Sequence, residues 1–326
     1  MAWVIFLTTA ALIVLAATQL AKYGDIIATR TKMGGMFIGL LLLAGATSLP
    51  EVLTSISSLQ QNAPNLAAGN LLGSNTFNMF LLAIIDISFR NQRILRKAAL
   101  KHAVTGSITV FLIGSVVFFM LANLDISIGF VGLDSLIIIA VYILAVRLIH
   151  KDSQHNSSST EMIEVPANTP SLLHGIIGFL LAALALIFIT PLMVKNANII
   201  AESTGLGTTF IGTTLVALVT SLPELVTTIA AIKIGAADMA IGNLFGSNLF
   251  NMFALGLTDF FYTQGRFLEA IDPSFLLIGI VGLLLTCMGL IGNLVKLEKR
   301  IWFLEIDALA IILFYFASLW LLYLRS

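Results

Sequence analysis

Hydrophobic positions along this chain come in long runs, not in alternation. Met36 to Ala44 is almost unbroken hydrocarbon, and comparable stretches recur to the end. Runs of about 20 apolar residues have the length of a helix that crosses a bilayer. Ten are predicted, near 3–21, 34–60, 66–86, 98–122, 127–149, 172–194, 207–234, 238–258, 273–293 and 302–323. Polar residues interrupt the second and third runs, and again the seventh and eighth. In "ATSLPEVLTS" (46–55) and "VTSLPELVTT" (219–228) a glutamate, Glu51 or Glu224, stands directly behind a proline at membrane depth.

Those two glutamates are 173 positions apart (224 − 51), and the same offset aligns much else without a gap. Lys22 pairs with Lys195, Gly39 with Gly212, Asn70 with Asn243, Asp86 with Asp259, Asp134 with Asp307 and Tyr142 with Tyr315. The chain therefore reads as two tandem halves of five helices, 1–149 and 172–326, joined by a polar linker at 150–171. Five is odd, so the second half enters the membrane upside down. Inverted repeats of this kind are a transporter architecture, with the binding site near the midplane where the halves meet. The predicted fold class is an all-α polytopic membrane protein of ten transmembrane helices in two inverted five-helix repeats.

Composition fits that reading: 58% of residues are apolar and 10% charged, a balance that places the chain in the membrane class. Net charge is zero, but its distribution is lopsided. Fourteen of the seventeen Lys and Arg residues fall in the odd-numbered loops; only Lys195, Arg266 and Arg325 fall on the other side. The positive-inside rule then puts the odd loops in the cytoplasm and both termini outside, in a multi-pass protein of the cell membrane. No basic residue precedes Lys22, so the first run lacks the n-region of a signal peptide and is expected to stay in place. Cys287 is alone, which leaves no disulfide within the chain. The four histidines are expected to be solvated near span ends or in the linker. No P-loop pattern with its lysine is present, so no nucleotide is expected.

The polar clusters supply one kind of chemistry. Each proline lacks an N–H, so the carbonyl four residues back, Ala46 or Val219, loses its helical partner. Free carbonyls at membrane depth are tolerated where they line a cavity or meet a ligand. Downstream, "GNLLGSNTFN" (69–78) and "GNLFGSNLFN" (242–251) place Ser74 one turn from Asn78 and Ser247 one turn from Asn251, each pair on one helix face. The inventory is carboxylate, carbonyl, hydroxyl and amide oxygen, the set preferred by hard cations. Apart from Lys233, at the far end of the seventh span, these spans hold no basic residue to pair with the glutamates, so a cation is expected to.

These motifs, duplicated at corresponding positions, resemble the cation/calcium exchanger superfamily, and within it the sodium/calcium exchangers of prokaryotic type. The resemblance covers essentially the whole chain. It implies secondary antiport of Ca²⁺ against Na⁺ by alternating access, with no enzymatic activity, no cofactor and no nucleic acid or obligate protein partner beyond the lipid bilayer. Its ion-binding positions fall on Thr47, Ser48, Glu51, Ser74 and Asn78, and on Thr220, Ser221, Glu224, Ser247 and Asn251, with the Ala44 and Ala217 carbonyls as further ligands. The sequence departs from many members in carrying Asn at both 78 and 251, where one is often Asp; its fixed charge of −2 is met by one Ca²⁺ or two Na⁺. Proton coupling is the main alternative, since a glutamate pair could exchange Ca²⁺ for two protons. A channel could also use rings of glutamate, but inverted repeats with broken helices favour alternating access.

Overall fold

The computed structural model describes residues 1–31, 43–89, 99–156, 169–233, 237–295, 300–301 and 304–325. The front of the second expected span, most of the 150–171 linker, and Lys32, Gly39, Arg93, Arg96, Lys97, Lys296 and Lys299 lie outside these residues. The described chain is mostly helical. In order it forms α1 (Ala2–Thr31), α2 (43–60, whose second part is Leu49–Gln60), α3 (Pro64–Ser88), α4 (Ala99–Ala122), α5 (Leu133–Asn156) and α6 (Leu172–Thr204). There follow α7 (Gly207–Lys233), α8 (Ala237–Thr258), α9 (Phe275–Val295) and α10 (Ile306–Tyr323). Two-residue hairpins, Ser127–Ile128 with Val131–Gly132 and Arg300–Ile301 with Leu304–Glu305, precede α5 and α10 and stand 173 residues apart.

Six described stretches are long and apolar enough to cross a membrane: Ala2–Thr31, Pro64–Ser88, His102–Ala122, Leu172–Thr204, Gly207–Lys233 and Phe275–Gly292, with Asp307–Tyr323 a shorter apolar helix. Local signals fix several ends. Pro64 opens α3, where its missing N–H costs nothing. Ser171 caps α6 by accepting from the His174 N–H at 3.3 Å, and Gly205, at φ 72°, closes it in the left-handed conformation.

Burial sorts the helices into centre and periphery. Leu66 to Met79 of α3 are buried without a gap, and so are Ala240 to Leu249 of α8. A helix covered on every side is a central one. By contrast, α1 and α6 pack along one another through Ile13, Ala17, Leu20, Leu186, Met193 and Ala197, while Leu7, Leu15, Leu181 and Phe188 face outward. Two aromatic clusters repeat at the same offset: Tyr142 stacks on Phe253 and Tyr315 on Phe80, both with centroids 4.6 Å apart.

Loops group by face. Gln264 donates to Asn62 at 3.0 Å, the Asp272 N–H to Asn65 at 2.8 Å, and Arg266 to the Leu124 carbonyl and to Asn123, so the connections after α2, α4 and α8 meet. Arg30, at the end of α1, instead bonds the Thr169 and Pro170 carbonyls before α6. Asp259 is buried here as a structural acceptor, taking the Gly132 N–H at 2.7 Å and the Phe267 N–H at 2.6 Å. Asp134 and Asp307 accept the next residue's N–H at 2.8 and 2.9 Å, as acids at helix starts do. His102 is buried at the start of α4, contrary to the solvated position expected of it; His174 is exposed.

Arg266 carries a further consequence. Its side chain is 6% exposed and lies 3.7 Å from Asp134, itself 2% exposed. Removing one member of a buried pair strands the other and costs about 3–5 kcal/mol. Arg266→Ala is expected to lower the melting temperature of the detergent-solubilised protein clearly. An Asp125→Ala control, at a side chain 99% exposed, should leave it nearly unchanged.

Candidate functional site

Both α2 and α7 break at the residue three before their glutamate. Ser48 (φ −88°, ψ 6°) and Ser221 (φ −87°, ψ 0°) leave helical geometry in the same way, and Pro50 and Pro223 follow two residues on. The prolines account for the break, since no N–H is available to the carbonyls of Ala46 and Val219. In α7 the stretch Gly212–Val216 is also widened into a π-helix. There the Thr213 and Thr214 hydroxyls back-bond the Thr209 and Phe210 carbonyls at 2.8 and 2.7 Å.

The breaks bring the two glutamates to one polar centre. Ser48 donates to Glu224 Oε1 at 3.0 Å, and Ser221 donates to Glu51 Oε1 at 3.3 Å, so each glutamate is held by the serine of the other half. Ser247 adds a bond to Glu224 Oε1 at 3.3 Å. Thr47 lies 3.5 Å from Ser247, and Ser74 lies 3.4 Å from Thr220, again a matched pair. All ten residues that the sequence singles out, Thr47, Ser48, Glu51, Ser74, Asn78, Thr220, Ser221, Glu224, Ser247 and Asn251, have zero exposure. Contacts across the two halves link eight of them, Thr47, Ser48, Glu51, Ser74, Thr220, Ser221, Glu224 and Ser247, and Asn78 and Asn251 follow one turn after Ser74 and Ser247 on the same helices.

What is left unpaired in that cluster is informative. Glu51 Oε2, Glu224 Oε2, Asn78 Oδ1 and Asn251 Oδ1 are all buried with no hydrogen-bond partner. All four are acceptors, and they fall into two pairs at the 173-residue offset. A buried unsatisfied acceptor costs about 1–3 kcal/mol, more when charged, so four together point to a ligand that offers positive charge. Among the described residues the ion pairs centre on Arg266, and none involves either glutamate. Among the described residues no group of three or more His, Cys, Asp or Glu side chains gathers to hold a metal. A cation here would meet two carboxylates and otherwise neutral oxygen. The Ala44 and Ala217 carbonyls are occupied, accepting from Ser48 and Ser221 N–H groups at 2.9 and 3.0 Å and from the Thr47 and Thr220 hydroxyls.

Four residues outside the predicted set complete the centre: Asn70, Asn75, Asn243 and Asn248. Asn70 spans both halves, donating to the Glu51 carbonyl and Ser55 at 2.9 Å and accepting from Thr220 at 2.9 Å. Asn243 donates to Thr227 and Thr228 at 3.0 and 3.3 Å, with Thr47 3.5 Å from its oxygen. Their signal in the sequence is their duplication inside "GNxxGSN". Close helix approach comes from Gly69 and Gly73: a Cβ on either would fall within 2.8 Å of α7 backbone atoms.

The family described as sodium/calcium exchanger protein matches residues 1–150 and 174–324 of this chain. The inner membrane protein YrbG of Escherichia coli (strain K12) is 28% identical over 251 residues, spanning 76% of this chain and 75% of the relative. Sodium/calcium exchanger MaX1 of Methanosarcina acetivorans is 28% identical over 283 residues, spanning 74% and 77%. A solved structure of the sodium-calcium exchanger NCX_Mj overlays with a TM-score of 0.61 at 22% identity, covering 98% of each chain. At that identity the overlay speaks for the fold.

Proposed function

Given that the chain belongs to the sodium/calcium exchanger protein family, we propose that it is a secondary antiporter that moves Ca²⁺ against Na⁺ across the cell membrane. The observation that carries this reading is the set of four unpartnered acceptor oxygens on Glu51, Glu224, Asn78 and Asn251 in a fully buried centre. Ca²⁺ takes about 6–8 oxygen ligands and Na⁺ is likewise a hard cation suited to oxygen. The hydroxyls of Thr47, Ser48, Ser74, Thr220, Ser221 and Ser247 supply the remaining oxygens within the same cluster. Two ionised glutamates balance one Ca²⁺ or two Na⁺, so either cargo leaves the centre neutral and the two compete for it. Competition of that kind is the basis of obligatory exchange.

The architecture we infer is ten transmembrane helices in two inverted repeats, 1–149 and 172–326, with 150–171 between them and both termini outside. Support comes from the offset-173 recurrence of the site bonds, the hairpins and the stacked tyrosines. It also comes from the loop groups: the connections after α2, α4 and α8 meet, as loops on one side of a membrane must. In the alternating-access step, α1 and α6 slide as a pair past α2, α3, α7 and α8. The surface they slide along is largely apolar, with Ala46, Leu66, Val216 and Val219 against it, and the bond from Gln61 to the Pro191 carbonyl at 3.2 Å is one that the movement must break.

Reconstituted vesicles test the proposal. Ca²⁺ flux is expected to follow an imposed Na⁺ gradient and to be insensitive to an imposed proton gradient. Flux driven by protons alone would replace the reading with Ca²⁺/H⁺ exchange on the same scaffold. Gradient-independent Ca²⁺ leakage would indicate a channel.

A further inference from the structure

Asn78 and Asn251 can serve a cation only if their amides turn the carbonyl oxygen, not the NH₂, toward the centre. An amide side chain is nearly symmetric in shape, so its orientation is set by its hydrogen-bond partners. Here the partners come from the other half of the chain. Asn78 Nδ2 donates to Asn248 Oδ1 at 2.9 Å, and Asn251 Nδ2 donates to Asn75 Oδ1 at 3.1 Å. Asn248 is in turn anchored: its Nδ2 donates to the backbone carbonyl of Asn75 at 3.2 Å.

That anchor fixes the whole relay. A backbone carbonyl can only accept, so the NH₂ of Asn248 must face Asn75. Its Oδ1 must then face Asn78, which can answer only with its own NH₂. Asn78 Oδ1 is left turned away, without a protein partner. Both asparagines are buried, Asn248 at zero exposure and Asn75 at 1%, so bulk water does not compete for these groups.

We propose that Asn248 is a positioning residue for cation binding: it holds the Asn78 amide in the one orientation that presents an oxygen to the ion, and Asn75 does the same for Asn251. This rests on the ion-site reading above. Asn248 makes no contact with the ion; it acts through Asn78. The arm through Asn75 is the looser one, because Asn75 Nδ2 has no partner to lock it.

A double-mutant cycle on the full chain in vesicles tests this, read as the apparent KM for Ca²⁺ and the maximal Na⁺-driven rate. Asn248→Ala is expected to raise KM about tenfold, the upper end of what one neutral hydrogen bond contributes, and to leave the maximal rate largely intact. Asn75→Ala should raise KM less. Once the amide it positions is gone, Asn248 has nothing left to do. Asn78→Ala/Asn248→Ala should therefore match Asn78→Ala alone within about twofold, whereas independent sites would multiply. Multiplying effects, or a fall in rate at constant KM, would overturn the proposal. If Asn78→Ala itself leaves KM unchanged, the ion-site reading fails instead. Should Asn248→Ala not insert, Asn248→Ser, too short to reach Asn78, enters the same cycle with the same expectations.

Discussion

Glu51→Gln or Glu224→Gln is expected to abolish Na⁺-driven Ca²⁺ flux while leaving a folded, monodisperse protein. Glutamine keeps the shape of glutamate, and its Oε1 still accepts from Ser221 or Ser48. What it removes is one of two formal charges in the centre, and it places an N–H where an unpartnered carboxylate oxygen stood. A unit charge 4 Å from another is worth about 4 kcal/mol at an effective dielectric near 20, and twice that toward a divalent ion. Even the smaller figure is about three decades in affinity. Flux in vesicles measures the loss, and size-exclusion chromatography checks the fold. Near-normal Ca²⁺ flux in either variant would remove the glutamates from the site.

The second large effect is steric. Gly73 lies where α3 crosses the π-helical stretch of α7, and a Cβ there would sit 2.6 Å from the Thr213 carbonyl oxygen and 2.8 Å from Ala217 Cβ. Backbone atoms cannot swing aside as a side-chain tip can. Gly73→Val is expected to destabilise the protein by more than the ~1–3 kcal/mol of ordinary overpacking. It should also stop transport, because Ser74 and Thr220 lose their 3.4 Å contact when the helices part. Among the described residues, Gly246, its partner at the 173-residue offset, meets Ala44 Cβ at 3.1 Å. Thermal unfolding with parallel flux assays measures both losses, and a Gly73→Val protein that melts and transports as the parent does would refute the packing argument.

The centre was legible in the sequence to the extent that it is written twice. Proline followed by glutamate marks a broken helix with a charge at its break, and that reading needs no knowledge of neighbours. The relay through Asn75 and Asn248 was not legible. Each stands beside a serine on its own helix, and whether an amide faces a ligand, a lipid or another amide depends on which helix packs opposite. Arg266 shows the same limit. Counted by position it is a loop cation; in the fold it is buried against Asp134 because the loop after α8 closes over the start of α5. Gly39, the partner of Gly212, falls outside the described residues.

The reciprocal bonding described above also bears on how the protein is made. Glu51 waits for Ser221, Asn70 for Thr220 and Asn78 for Asn248, and every one of those partners is synthesised more than a hundred residues later. While the ribosome is still translating the later residues, α2 and α3 carry a carboxylate and several amides whose partners do not yet exist. Release into lipid at that stage is unfavourable, because hydrocarbon offers these groups nothing. Assembly of the centre is thus a late event that seals the two halves at once, and a chain truncated after the first half is one that quality-control proteases should meet with its polar helices still open.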